Sequence, residues 1–104
     1  MNIVGVSACS AGIAHTYIAK EKIEQAAKLL GHKCKIETQG SIGVEDELTA
    51  ADIAEADVVL LAVDIKIHGE ERFKGKPVVK MPITKVTNNP VGVLQSIEKA
   101  LKKK

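Results

Sequence analysis

The chain has almost no aromatic residues: its 104 residues include one Tyr, one Phe and no Trp. Proteins that bind single-stranded nucleic acid stack bases on several aromatic side chains, so the composition argues against such a partner. No apolar run approaches the roughly 20 residues needed to cross a membrane, and the longest, Val58–Val63, has the length of a strand. The N-terminus lacks the charged start and apolar stretch of a signal peptide. We therefore expect a cytoplasmic protein.

Cysteine is also scarce, since the chain contains only Cys9 and Cys34. In the cytoplasm both are expected to be reduced, which excludes a disulfide scaffold. No set of Cys and His residues has the spacing of a metal site. The glycine-rich fingerprints of nucleotide-binding loops are absent as well. The sequence thus predicts neither a metal nor another cofactor.

The amounts of apolar and charged residues, 45% and 27%, are those of an ordinary globular protein. The length fits a single domain over residues 1–104. The net charge of +2 does not describe a basic surface, because four of the 15 basic residues lie in the C-terminal segment 99–104. We interpret this segment as a solvated basic tail rather than a site for nucleic acid.

Two hydrophobic patterns alternate along the chain. Short continuous or alternating apolar runs predict strands, and apolar residues at intervals of three and four predict helices. The predicted strands are Asn2–Ala8, Lys33–Thr38, Val58–Val63 and Pro77–Lys80. The predicted helices are Ile13–Leu30 with Gly31 at its C-terminus, Ala50–Ala56 with Thr49 as N-cap and Asp52 in the first turn, and a last helix that begins at Pro90 after Asn89. A loop, 64–76, is expected to contain one turn at Glu70–Phe73.

This order predicts an α/β fold, a three-layer open sandwich with a four-stranded parallel sheet flanked by helices on both faces. Val58–Val63 is expected at the centre of the sheet. The second strand, with Lys33, Lys35 and Glu37 on a wetter face, is expected near an edge. Ligands of such sheets bind beyond the carboxyl ends of the strands. The segments expected there are Cys9–Thr16, 38–43 and 64–68, and they make Gln39, Ser41 and Asp64 candidate crevice residues.

Cys9 is the first residue after the first predicted strand, and small residues follow it before a helix begins. Inward-pointing amides and a helix N-terminus together form an anion site, and such sites favour the thiolate form of a cysteine. The pattern therefore indicates phosphoryl transfer through a phosphocysteine, although Cys9 could also be a small buried core residue. Cys34 lies within a strand and is interpreted as structural. The residues expected to line the phosphate loop are Ser10, Ala11, Gly12, Ile13, Ala14 and Thr16.

Cysteine phosphatases usually carry an arginine six residues after the nucleophile, where it clamps the transferring phosphoryl group. Here that position is His15, and the single arginine of the chain, Arg72, is far away in sequence. A loop without the clamp suits a carrier of phosphoryl groups better than a hydrolase. His15 is either a donor to the phosphate or a local helix cap. A thioredoxin-type site is excluded because residue 12 is Gly.

The segments CSAGIAHT (9–16), ETQGSIG (37–43), LTAADIAEADVV (48–59) and AVDI (62–65) stand together in this chain. In this combination the sequence resembles the fructose-type enzyme IIB component of the bacterial phosphoenolpyruvate-dependent sugar phosphotransferase system, over about residues 2–101. The resemblance departs at one point. The family's loop commonly has Pro and Thr after the cysteine, whereas this chain has Ser10 and Ala11.

The resemblance implies a four-stranded parallel sheet and a role for Cys9 as a protein-phosphocysteine–sugar phosphotransferase. Cys9 would receive a phosphoryl group from a phosphohistidine of a IIA component. It would pass the group to a fructose-like sugar held by a membrane IIC component, so that the protein associates transiently with the inner face of the membrane. An alternative is a regulatory module whose binding to a partner depends on phosphorylation.

Overall fold

The computed structural model describes residues 2–9, 13–40, 43–67 and 69–102. The predicted roles of Ser10, Ala11, Gly12 and Ser41 fall outside these residues, as does His68 in the third crevice segment, for which the sequence predicted no role beyond a surface loop. The strands are β1 (Asn2–Ala8), β2 (Lys33–Gly40), β3 (Gly43–Glu45), β4 (Val58–Val63) and β5 (Val78–Met81). The helices are α1 (Ile13–Leu29), α2 (Ala50–Glu55), α3 (Ile83–Asn88) and α4 (Pro90–Lys102), with a 3-10 helix at Glu70–Phe73.

The strands form one open sheet in the order β3-β2-β1-β4-β5. β1, β2, β4 and β5 pair in parallel, which confirms the predicted α/β fold, and β3 adds a fifth strand antiparallel to β2. Gly40 of β2 pairs with Gly43 of β3 in this antiparallel ladder. β2 lies next to the edge strand β3, so it is near an edge as expected. β1 rather than β4 is the middle strand, although β4 is also paired on both sides.

Helices cover both faces of the sheet, as predicted for a three-layer sandwich. On one face α1, α3 and α4 pack on Ile3, Leu60 and other sheet residues in one apolar cluster. On the other face Leu48, Ala56 and Phe73 pack on sheet residues of the opposite orientation. The sheet contributes Ile3, Ile36, Val58, Leu60 and Ala62 to the first cluster and Val4, Val6, Ala8, Val59, Leu61 and Val63 to the second. Successive side chains therefore alternate between the two layers.

The backbones of β1 and β4 are closely packed at Gly5. A Cβ atom at this position would lie 2.1 Å from the carbonyl oxygen of Leu60, the residue with which Gly5 is paired. Real Cβ atoms do not approach backbone oxygens this closely. The centre of the sheet therefore requires glycine at this position.

The helix ends follow the predicted chemistry. Gly31 has a φ of 79° after α1, a left-handed conformation that glycine adopts without strain. Thr49 and Asp52 form a reciprocal capping box at α2, and the side chain of Asn89 accepts a hydrogen bond from the Gly92 amide of α4. Within the described ranges no helix is both long and apolar enough to cross a bilayer.

The hydrophobic pattern of the sequence did not predict α3. Its residues, ITKVTN, are rich in β-branched side chains, which lower helix propensity. Pro82 at its N-cap provides no side-chain hydrogen bond. The helix is held by burial of Ile83 and Val86 in the first apolar cluster, so tertiary packing rather than local sequence determines it.

Candidate functional site

The register of the parallel strands brings their carboxyl ends to one edge of the sheet. Ala8, the last residue of β1, is paired with Gln39 of β2 and with Val63 of β4. The next residue of each strand, Cys9 and Asp64 among them, therefore lies at the same level. The backbone amide of Asp64 donates to the carbonyl of Ala8 at 3.0 Å, which extends this pairing past the strand end.

Cys9 lies at the boundary between the apolar core and this edge. It is 8% exposed and belongs to the same apolar cluster as Ala62 and Ile83. Its Sγ donates a hydrogen bond to Oδ2 of Asp64 at 3.3 Å. Since Asp64 is exposed, the thiol is linked to solvent through this carboxylate. The structure thus brings together two of the residues that the sequence placed in the crevice.

Asp64 has a second partner, which the sequence did not predict. Its Oδ1 accepts a hydrogen bond from the backbone amide of Ile83 at 3.2 Å. Ile83 is the first residue of α3, where the N-cap Pro82 offers no side-chain acceptor. The carboxylate therefore caps α3 from another part of the chain. Each of its oxygens has a defined direction, one toward Cys9 and one toward α3.

A buried polar pair joins β1 to the N-terminal part of α1. Ser7 Oγ donates to the carbonyl of Thr16 at 2.9 Å. Thr16 is 3% exposed, and its hydroxyl has no hydrogen-bond partner among the described residues. Leaving a buried hydroxyl unpaired costs about 1–3 kcal/mol, so this atom is suited to a ligand oxygen.

His15 is exposed in the first turn of α1. Tyr17 and Ile18, which follow it, are also largely exposed. The hydroxyl of Tyr17 donates a hydrogen bond to the carboxylate of Glu45, the last residue of β3. α1 and β3 are joined in this way, and the exposed surface at the start of α1 combines Tyr17 and Ile18 with the imidazole of His15.

Gln39 belongs to the other face of the sheet. Its amide donates to Oε2 of Glu37 at 2.8 Å, and the amide of Leu48, a residue of the second apolar cluster, donates to Oε1 of the same carboxylate. Cys9 and Asp64 belong with the first cluster. The side chain of Gln39 therefore binds partners on the face of the sheet opposite to the one on which Cys9 packs.

Glu37 was expected on the wetter face of its strand, and this was wrong because it is 1% exposed. The reason is Arg72, whose Nη1 and Nη2 donate to the two carboxylate oxygens of Glu37 at 2.9 and 3.0 Å. Burial alone would raise the pKa of Glu37. The hydrogen bonds from Arg72, Gln39 and Leu48 outweigh burial, so the pKa lies below its ordinary value.

Arg72 also donates from Nε to the carbonyl of Gly69 at 2.7 Å and lies 5.0 Å from the ring centroid of Phe73. The single arginine of the chain is therefore bound to Glu37, on the face of the sheet that carries the second apolar cluster. No cysteine-phosphatase clamp is built from it in this conformation.

Cys34 lies in β2 and packs against the first apolar cluster. Burial, with a smaller contribution from the charge of Glu24, raises the pKa of Cys34 to about 12. A thiol with this pKa is uncharged at neutral pH. These properties agree with the structural role predicted for Cys34.

Fold and site together define a small open α/β domain with a thiol at the carboxyl end of its middle strand. The family described as PTS system, Lactose/Cellobiose specific IIB subunit, where PTS is the sugar phosphotransferase system, matches residues 4–96. The chain belongs to this PTS IIB family, as the resemblance predicted.

Individual relatives agree with this assignment. The PTS system fructose-like EIIB component 2 of Escherichia coli strain K12 is 50% identical over 96 residues, which cover 92% of this chain and 91% of the relative. The Fructose-like PTS system EIIBC component of the same strain is 46% identical over 91 residues, which are 86% of this chain and 19% of that protein. The solution structure of Enzyme IIB subunit of PTS system from Escherichia coli K12 superposes with a TM-score of 0.92 at 34% identity, covering 98% of this chain and 94% of the other.

Proposed function

We propose that this IIB-family protein carries phosphoryl groups on Cys9. The group would come from a phosphohistidine of a IIA component and pass to a fructose-like sugar in a membrane IIC component. The observation that carries the proposal is the position of the Cys9 thiol. It lies at the carboxyl end of the middle strand, hydrogen-bonded to the exposed Asp64 at 3.3 Å. The other cysteine, Cys34, lies within a strand and has a raised pKa.

Two features support a phosphate site beside Cys9. α1 is 17 residues long and begins four positions after the cysteine, so its N-terminal amides and dipole favour an anion there. The buried Thr16 hydroxyl, unpartnered within the described part of the chain, offers a donor. We propose that the backbone amides of Ile13, Ala14 and Thr16 line this site, and the sequence assigns Ser10, Ala11 and Gly12 to the same loop.

The chemistry favours a carrier over a cysteine phosphatase. Hydrolysis of a phosphocysteine needs a cation that stabilises the transferring group while water attacks. Arg72 is engaged by Glu37 through two hydrogen bonds. His15 is exposed, where it can contact the phosphate of an incoming partner. The phosphoenzyme is therefore expected to persist until an acceptor arrives.

The proposed partners follow from the relatives. The Fructose-like PTS system EIIBC component contains a region similar to this chain in 19% of its length, and its name joins a IIB to a IIC unit. We propose a IIC partner for this chain, which would then act in the cytoplasm at the inner face of the membrane. The names of the relatives point to a fructose-like sugar, although the family description names lactose and cellobiose. Residues 1–104 act as one domain in this proposal, and no cofactor takes part. The basic segment 99–104 was expected as a tail, but its residues up to Lys102 belong to α4.

The proposal is tested by phosphoryl transfer in a purified system. The protein is incubated with a IIA component carrying labelled phosphohistidine, and then with vesicles that contain the IIC component and fructose. Label is expected on the wild type and on Cys34→Ser but not on Cys9→Ser, followed by labelled sugar phosphate. Label on Cys9→Ser would contradict the role of Cys9. Label that stays on Cys9 in the presence of IIC and sugar would favour a regulatory module instead.

A further inference from the structure

Cys9, Asp64 and the amide of Ile83 form a continuous chain of hydrogen bonds. The thiol donates to Oδ2 of Asp64 at 3.3 Å, and Ile83 donates to Oδ1 at 3.2 Å. A nucleophile within reach of a base, with the base oriented by a third group, is the arrangement that activates nucleophiles in covalent catalysis. The amide of Asp64 is also fixed to Ala8 at 3.0 Å. The backbone of Asp64 is thus fixed by Ala8 and its carboxylate by Ile83, and the second carboxylate oxygen accepts from the sulfur of Cys9.

The geometry points to Asp64 as the catalytic base that takes the thiol proton when Cys9 attacks a phosphohistidine. This inference rests on the proposed function. In this step the S–H proton moves to Oδ2 of Asp64, and the sulfur lone pair forms the S–P bond. The N–P bond breaks, its electron pair returns to the imidazole nitrogen, and that nitrogen takes a proton from water. Asp64 is exposed, so it afterwards returns its proton to water.

The same transfer changes the charge that faces the incoming group. A carboxylate beside the sulfur repels both a thiolate and a phosphoryl dianion. Once Asp64 holds the proton, this repulsion is removed at the moment when the phosphoryl group arrives. A carboxylate that never received the proton would oppose the transfer. The position of Asp64 therefore suits a proton acceptor and does not suit a permanent charge.

Asp64→Asn separates this role from a structural one. Its amide oxygen can still accept from the Ile83 amide and cap α3, but it cannot take a proton. Removing the negative charge lowers the free energy of forming the Cys9 thiolate. Alkylation of Cys9 by iodoacetamide at pH 7 is therefore expected to become about fivefold faster. Phosphoryl acceptance from a IIA component is expected to become about 100-fold slower, since a positioned base contributes at least that factor. The two rates are expected to change in opposite directions.

The experiment measures both rates on wild type, Asp64→Asn and the control Asp57→Asn. Asp57 is an exposed aspartate that precedes β4, at the opposite end of the strand that Asp64 follows. Its carboxylate accepts a hydrogen bond from the backbone N–H of Asn2 at 2.7 Å. This variant therefore tests the loss of a similar charge and hydrogen bond far from Cys9. All three proteins carry Cys34→Ser, and circular dichroism confirms that each is folded at the assay temperature. The control is expected to retain both wild-type rates.

Faster alkylation with slower acceptance supports the role of Asp64 as the base. Acceleration of both rates in Asp64→Asn would overturn it, because a thiolate formed beforehand would then be the nucleophile. A wild-type rate of acceptance, or a loss of both rates together, would overturn it as well. Failure of the wild type to accept label overturns the proposed function itself. In that case an unchanged alkylation rate in Asp64→Asn would further show that the carboxylate does not act on the thiol.

Discussion

Glu37 and Arg72, 35 residues apart in the chain, form an ion pair with two hydrogen bonds of 2.9 and 3.0 Å. The pair joins β2 to the 3-10 helix of the segment that follows β4, and both side chains are largely withdrawn from water. Further hydrogen bonds, from Gln39 and Leu48 to the carboxylate and from Arg72 to Gly69, extend this polar network. The ion pair therefore holds β2 and the 3-10 helix together on the face of the sheet that carries the second apolar cluster.

Substitution of Glu37 by Gln is expected to lower the free energy of unfolding by about 3 kcal/mol, because removing one partner leaves a buried charge uncompensated. Urea unfolding at pH 7 measures the effect. Glu55→Gln, at an exposed position at which α2 ends, is the control and is expected to change stability by less than about 0.5 kcal/mol. Equal effects of the two substitutions would contradict the importance of the ion pair.

Asp52 is expected to make the protein sensitive to acid. The hydrogen bond from Lys35 at 2.7 Å and those from Thr49 lower the pKa of Asp52 from 3.8 to about 2. The stability that this shift contributes is complete above the unfolded value, near 3.8, and is lost as the pH falls toward 2. The urea midpoint of the wild type should therefore decrease more between pH 6 and pH 2.5 than that of Asp52→Asn, which does not titrate. Parallel pH profiles of the two proteins would show that Asp52 does not contribute.

Gly5→Ala is expected to destabilise the sheet by several kcal/mol, because the new Cβ would lie 2.1 Å from the carbonyl oxygen of Leu60. Gly75→Ala serves as the comparison. No atom lies within 4 Å of its added Cβ, but its φ of 91° is strained for alanine, which costs about 1–3 kcal/mol. Thermal unfolding should rank Gly5→Ala as the less stable of the two. The reverse order would show that β1 and β4 can separate without a large cost.

Cys34 is expected to resist alkylation in the folded protein. Its pKa of about 12 compares with roughly 8.5 for a free thiol, so at pH 8 its thiolate is on the order of a thousand times rarer than in the unfolded chain. The measurement uses the Cys9→Ser variant, in which Cys34 is the remaining cysteine, with iodoacetamide in buffer and in urea. Similar rates in the two solutions would indicate that Cys34 is accessible, contrary to its packing.

His15→Ala is expected to slow phosphoryl acceptance by about 10- to 150-fold, since a charge-assisted hydrogen bond made during transfer contributes roughly 1.5–3 kcal/mol. The melting temperature should stay near that of the wild type, because the side chain is exposed. If His15 only caps the helix, the melting temperature falls and the rate, corrected for folded fraction, does not. His32→Ala, in the turn at the other end of α1, is the control for the loss of an imidazole, and its transfer rate should be unchanged.

The sequence predicted the elements whose patterns are long or have clear ends. β1 and β4 were recognised from continuous apolar runs, and α2 and α4 from Thr49 and Asn89 at their caps. β3 was missed because three exposed residues show no periodicity. Glu37 was misplaced because its partner, Arg72, comes 35 residues later, and one strand's alternation of polar and apolar residues does not reveal such a partner.

The sequence predicted part of the candidate site as well. Parallel strands end at one edge of the sheet, so the sequence placed Cys9 and Asp64 in the same crevice. It did not separate them from Gln39, because that requires knowing which face of the sheet each strand position occupies. The amide of Ile83 could not be found either, since α3 was not predicted and backbone groups carry no signature in the sequence.

The alternation of side chains along β4 has a practical consequence for protein engineering. Leu60, Ala62 and Asp64 share one orientation, so the meeting of Asp64 with Cys9 depends on the number of residues between the start of the strand and its end. Inserting or deleting one residue within Val58–Val63 would turn the carboxylate toward the opposite layer. Changes of length beyond Lys66 would leave that count intact. The strand must therefore be transplanted whole, whereas an exchange of the segment after it would have to keep Arg72 and Phe73, which bind Glu37 and pack on the other face of the sheet.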